Sequence, residues 1–188
     1  MNSFSKIYEK NIWGGSGTGS KYNRDNKALI SKINEMIKEY DIKNVYDFGC
    51  GDFEIMKHLN FDDINYTGGD VVESVINKNT EIYSNEKIKF IFNDKDITGY
   101  DLVIIKDVLQ HHTDEDVKQI LGPLIEHNKY VFSINGYKFT DNRDIHIRDI
   151  NNRYRYYPIS SDKYPLNTFT HKELFKYHHR IREFILYY

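Results

Sequence analysis

Between residues 44 and 134 the chain alternates short apolar runs with amphipathic stretches, and this alternation restricts the fold more than any other feature. NVYDF (44–48), INYTGGD (64–70), IKFIF (88–92), DLVIIK (101–106) and KYVFSI (129–134) each have the length and composition of a strand. EIMKHLN (54–60) predicts a short helix, and a weak helical pattern follows near 72–79. Thr113 suits the N-cap of a helix over about 114–127, which places Val117, Ile120, Leu121, Leu124 and Ile125 on one face. Upstream, Leu29, Ile30, Ile33, Met36, Ile37 and Tyr40 fall at helical spacing and predict an amphipathic helix over roughly 25–40. Strands alternating with helices imply an α/β domain, its parallel sheet covered by helices on both faces. Right-handed crossovers then put the loops beginning near 48, 70, 93, 106 and 135 along one edge, where they are expected to share a site.

The C-terminal part reads differently. Residues 136–168 show no clear period. Thr170 and Glu173 form a capping-box pattern that predicts a helix to about 179, and RIREFILYY (180–188) reads as a last, edge-proximal strand. That makes six strands, with no seventh placed. A chain of 188 residues suits one domain with a sizeable core. The net charge of −2 argues against a general nucleic-acid binder. Residues 136–188 nevertheless carry ten Lys+Arg against six Asp+Glu, while the rest carries sixteen against twenty-two. Cys50 is the single cysteine, so no intrachain disulfide can form, which fits a reducing compartment. The start, MNSFSKIYEKNIWGG, has no apolar signal region, and no run approaches 18 apolar residues. The expectation is a soluble, cytoplasmic protein with no membrane partner.

The run VYDFGCGDF (45–53) carries the chemistry. Gly49 and Gly51 permit a tight turn after the first strand and a close approach of backbone to ligand. A dinucleotide loop reads G-x-G-x-x-G and seats a pyrophosphate, but here the third glycine position is Glu54, and Asp52 lies inside the loop. Anionic side chains beside a pyrophosphate in a poorly solvated site repel it by roughly several kcal/mol. A cationic nucleoside reverses that sign. The histidines at 111, 112, 178 and 179 come as adjacent pairs without zinc-site spacing, so no metal is expected.

Three motifs in order carry a resemblance. DFGCGDF, YTGGD and DLVIIKDVLQHH resemble the first, second-strand and fourth-strand motifs of the class I S-adenosylmethionine-dependent methyltransferases, over about residues 25–135. The resemblance implies a Rossmann-like methyltransferase fold and S-adenosyl-L-methionine as cofactor. It divides the single domain of residues 1–188 into an N-terminal lid or loop (1–24), a cofactor-binding core (25–135) and an acceptor-side part (136–188). It assigns Asp47 to the methionine ammonium, Gly49 and Gly51 to backbone contact with the cofactor, and Asp70 to the ribose hydroxyls. Asp94 and Asp96 both align with the acid that contacts adenine, and the choice between them stays open. Lys106, Asp107 and His111 would lie near the transferring methyl group, Lys106 lining the cofactor, Asp107 positioning the acceptor and His111 acting as the base. In WGGSGTGS (13–20), Trp13 would cover the site while Ser16, Gly17, Gly19 and Ser20 present hydroxyls and amides to the cofactor.

IYEKNIWGGSGTGS, KDVLQH and RYRYYP also resemble a subgroup of small methyltransferases linked to surface polysaccharides. This implies O-methylation of a sugar or another small polar acceptor. Asn135, Arg153 and Arg155 would touch it, the arginines suiting a nucleotide-linked or phosphorylated sugar. Three other readings stand beside this one. They are an N-methyltransferase acting on an amine or nucleic acid, a catalytically silent cofactor-binding partner subunit, and a dinucleotide oxidoreductase.

Overall fold

The computed structural model describes residues 3–12, 15–16, 23–136, 159–177 and 182–188. They fall into two compact units, Met1–Asp96 and Ile97–Tyr188. The first holds helix α1 (Ser3–Glu9), helix α2 (Arg24–Glu39), strand β1 (Asn44–Phe48), strand β2 (Asn65–Asp70), helix α3 (Glu73–Tyr83) and strand β3 (Ile88–Phe92). The second holds strand β4 (Leu102–Lys106), helix α4 (Asp114–His127) and strands β5 (Tyr130–Gly136), β6 (His171–Tyr177) and β7 (Arg182–Tyr187). The strands form a mostly parallel seven-stranded sheet in the order β3-β2-β1-β4-β5-β7-β6.

In the first unit, β1 pairs with β2 and β2 with β3, all parallel, with Asp47 opposite Gly68 and Asp70 opposite Phe92. Helix α2 starts where the Asn23 side chain accepts hydrogen bonds from the amides of Asp25 and Asn26. It buries Leu29, Ile30, Ile33, Met36 and Ile37, the stripe that the helical spacing marks out. The core around β2 is aromatic. The Phe53 ring lies 5.1 Å from those of Tyr66 and Phe90 and 5.2 Å from that of Tyr83.

In the second unit, β4 and β5 are parallel, and β7 runs antiparallel between β5 and β6. Leu102, Val103, Ile104 and Ile105 of β4 are all buried, as a parallel strand covered on both faces requires. Helix α4 opens on a reciprocal capping box. Thr113 Oγ1 accepts from the Asp116 amide at 2.8 Å, and the Asp116 carboxylate accepts from the Thr113 amide at 3.0 Å.

Two elements correct the sequence reading, and a third adds to it. Residues 171–177, expected to be helical, form strand β6, which is the seventh strand. A capping box is a local signal, and a helix that short is marginal by itself; β7 offers a hydrogen-bonded partner along the whole segment. Residues 54–60 hold only a single 3-10 turn, Met56–His58. The buried Phe53 just before it sits at φ 61°, and this left-handed residue interrupts any helix entering from the glycine turn. Within the N-terminal segment expected to be lid or loop, Ser3–Glu9 is helical, and α1 packs against α3.

Candidate functional site

In the first unit the turn after β1 is built from alternating left-handed residues, with Gly49 at φ 76°, Gly51 at 55° and Phe53 at 61°. Such alternation gathers backbone amides into a concave nest that favours anions. Here those amides already have acceptors within the protein. Gly49 and Cys50 both donate to the Gly69 carbonyl, at 2.8 and 3.0 Å. Gly51 donates to Asp70 Oδ2 at 3.1 Å, Asp52 to Ser16 Oγ at 2.8 Å and Phe53 to the Cys50 carbonyl at 3.3 Å. Glu54 donates to Asp52 Oδ1 at 3.4 Å. A pyrophosphate held by this turn would have to displace its internal bonds. Neither 44–53 nor 65–72 supplies a lysine or arginine to compensate. Glu54, at the third glycine position, is paired with Lys57 at 2.9 Å.

Three carboxylates surround the turn. Asp47 on β1 is 2% exposed and accepts a 2.6 Å hydrogen bond from the Tyr66 hydroxyl of β2. Asp70 ends β2, and its two oxygens accept from the amides of Gly51 and Val72. Burial raises the Asp70 pKa above the usual carboxylate value, against the lowering effect of those amides. A carboxylate offers about four lone-pair positions, and the Gly51, Val72 and Val71 amides occupy three, so Asp70 retains acceptor capacity for a hydroxyl donor. Asp52 reaches the N-terminal segment, accepting from the Ser16 amide at 3.0 Å. Cys50, between the two glycines, is held as a thiol chiefly by burial and then by Asp47 and Asp70, so it is a poor nucleophile.

Beyond β3, the Asn93 amide donates to the Asp70 carbonyl at 2.8 Å, which brings the 93–96 loop beside the end of β2. Asp94 is half-buried there and accepts from the Asp96 amide at 3.1 Å, while Asp96 is exposed. Val71 and Phe92 are exposed apolar residues adjoining Asp70 in sequence and in strand register. Sequence reading missed both, because an apolar residue at a strand end looks like core. Asn79 of α3, also missed, is buried and donates to the Gly51 carbonyl at 2.7 Å, fixing the turn from behind.

In the second unit, Lys106 ends β4, Asp107 follows it, and the two side chains pair at 2.6 Å, both largely buried. Asp107 adopts φ 59°, a strained value for a non-glycine residue, and its amide is anchored to the Ile134 carbonyl of β5 at 2.9 Å. His111 closes the short 3-10 turn Leu109–His111. Gln110, between His111 and the buried Leu109, accepts from the Gly136 amide at 2.8 Å and ties that turn to the end of β5. Asn135 is 1% exposed, and its amide nitrogen reaches Ser133 Oγ at 3.3 Å. Opposite it in register, Glu183 is equally buried and accepts from the Ser161 amide and hydroxyl at 2.6 and 2.9 Å. Trp13, Gly17, Gly19, Ser20, Arg153 and Arg155 lie outside the described residues. Among the described residues, no group of three or more His, Cys, Asp or Glu could hold a metal ion, and no helix is long and apolar enough to cross a membrane.

Neither a scan against protein-family models nor a search of curated proteins found a match. Solved structures do match. The methyltransferase domain of bacterial CtHen1-C superposes with a TM-score of 0.65 at 16% identity, over 88% of this chain and 98% of that one. The magnesium protoporphyrin IX methyltransferase ChlM of Synechocystis PCC 6803, with bound SAH, gives 0.63 at 18% identity, over 86% and 81%. This chain has the methyltransferase fold. Human N-acetylserotonin methyltransferase in complex with SAM gives 0.60 at 18% identity, over 86% of this chain and 55% of that one. The fold is therefore Rossmann-like, as the three motifs led one to expect, and its mixed sheet holds a seventh strand that the sequence reading did not place.

Proposed function

We propose that this chain is an S-adenosylmethionine-dependent methyltransferase acting on an oxygen of a sugar or another small polar acceptor. One observation carries the reading. The amides from Gly49 to Glu54 are all bonded internally, so the turn meets a ligand with carboxylates rather than with free N–H groups. Such a surface suits a cationic nucleoside and opposes a diphosphate. The methyltransferase fold supports the same choice.

The residues present fit that cofactor, which when bound supplies an electrophilic methyl group on a sulfonium. Asp70 would accept a hydrogen bond from the ribose diol. Val71 and Phe92 would give the base an apolar wall, and Asp94, the more sheltered of the two candidates, would accept from the adenine amino group. Asp47 would favour the positive charge through its field, held in place by Tyr66. Lys106 neutralises Asp107 and keeps it oriented. Asp107 would position the acceptor hydroxyl, and His111 would take its proton. Trp13, Gly17, Ser20, Asn135, Arg153 and Arg155 keep the roles that the sequence resemblance gave them. A cytoplasmic enzyme modifying a surface-glycan precursor, nucleotide-linked or phosphorylated, accords with these assignments.

Isothermal titration of the purified chain with S-adenosylhomocysteine and with NADH tests the cofactor. Binding of the first alone is expected; NADH binding with no response to the first overturns the proposal. Transfer of labelled methyl groups across hydroxyl and amine acceptors then tests the chemistry. His111→Gln is expected to bind S-adenosylhomocysteine normally and to lose most turnover. Undiminished turnover would place the base elsewhere.

A further inference from the structure

Asp52 presents a puzzle: an acid inside a glycine turn, directed at neither strand nor helix. Its partner is the N-terminal segment. Asp52 Oδ2 accepts from the Ser16 amide at 3.0 Å, and the Asp52 amide donates to Ser16 Oγ at 2.8 Å. The two residues thus bond reciprocally across 36 positions of sequence. The Tyr8 hydroxyl of α1 lies 2.6 Å from Ser16 Oγ and extends the link to the helix. The fit is close. A Cβ on Gly51 would stand 2.5 Å from Ser16 Oγ and 3.2 Å from the Tyr8 hydroxyl, and one on Gly15 would stand 2.8 Å from Asp52 Oδ2. Gly51 and Gly15, both at positive φ, are therefore required twice over, for backbone conformation and for contact. The same Gly51 amide donates to Asp70. Two amides in succession thus join the clasped segment and the β2 carboxylate to one turn.

We infer that Asp52 is a positioning residue that clamps Ser16 and α1 onto the glycine turn, so that cofactor affinity depends on the clamp although Asp52 itself does not bind the cofactor. The dependence on cofactor rests on the proposed function; the clamp does not. It also answers why the turn carries a second acid. Asp47 sits beneath the turn and meets Tyr66, whereas Asp52 faces the N-terminal segment and fastens it.

A double-mutant cycle on the full chain tests this. Ser16→Ala, Asp52→Ala and the double variant are titrated with S-adenosylhomocysteine by calorimetry, and hydrogen exchange is followed over residues 3–12. Each single variant is expected to bind about tenfold more weakly, since Ser16→Ala deletes the hydroxyl bonded to the Asp52 amide and Tyr8, and Asp52→Ala deletes the carboxylate bonded to the Ser16 amide. The double variant should be no weaker than the singles, and exchange in α1 should quicken in all three. Asp52→Asn keeps one acceptor oxygen for the Ser16 amide and is expected to restore most of the affinity. Additive losses, unchanged affinity in the singles or unchanged exchange in α1 would each overturn the inference. Should the unaltered chain not take S-adenosylhomocysteine at all, the methyl-donor reading fails and the claimed dependence of cofactor affinity falls with it. Faster α1 exchange in Ser16→Ala and Asp52→Ala would then still uphold the clamp, and unchanged exchange would sink it.

Discussion

Replacing Tyr66 by Phe isolates one hydrogen bond beneath the glycine turn. The Tyr66 ring sits 5.1 Å from Phe53, 5.8 Å from Phe61 and 6.2 Å from Phe90, and the substitution leaves those contacts in place. What is lost is the hydroxyl that donates to Asp47 Oδ2 at 2.6 Å, between side chains 1% and 2% exposed. A hydrogen bond to a charged group contributes about 1.5–3 kcal/mol net. For a chain of this size that corresponds to a fall in melting temperature of roughly 3–12 °C. Scanning calorimetry at pH 7 and the midpoint of a urea titration should agree on the loss, with the urea m-value unchanged. Burial first, and then the Asp47 charge, hold the Tyr66 phenol well above its usual range, so the hydroxyl is a donor at the pH of the assay. A Tyr66→Phe variant as stable as the parent would mean that Asp47 is satisfied by other groups. The reasoning that makes Tyr66 the support of that carboxylate would then be wrong.

Gly69→Ala should be more damaging than its one added methyl suggests. The new Cβ would stand 1.8 Å from the buried Tyr46 hydroxyl oxygen and 2.6 Å from its ring. Overpacking of this kind costs about 1–3 kcal/mol or more, and because the Gly69 carbonyl anchors the first two amides of the turn, calorimetric titration should show weaker S-adenosylhomocysteine binding as well. Asp70 gives a pH signature. Its folded-state pKa lies above the ordinary aspartate value of about 3.8, chiefly through burial, so between those two values the folded chain holds more protons than the unfolded one. Stability contributed by this group is present below pH 3.8 and is lost as the pH rises through the raised value. Urea titrations from pH 3 upward should therefore show the parent losing stability relative to Asp70→Asn across that window and a constant difference above it; a difference that does not change with pH would contradict the assignment.

The core of this fold was legible in the order of residues. Five of the parallel-sheet strand segments, the stripe on α2 and the Thr113 cap of α4 are set by local periodicity and by side chains a few positions apart. The glycine turn and the acid ending β2 were legible too, since each is defined within nine residues. Strand β6 was not: THKE carries the local signature of a helix start, and only pairing with β7 makes it a strand.

The site divides along the same line. Residue types and spacing determined by themselves that the turn after β1 would be tight and acid-flanked. Only the tertiary structure decided what each acid does. Asp47 meets Tyr66 across a strand pair, Asp70 holds the turn's own amide and Asp52 reaches back 36 residues to Ser16. The physical reason is one of range. Backbone geometry and helix caps act between neighbours in sequence, whereas a buried carboxylate takes whichever donor the folded chain brings within about 3 Å of it.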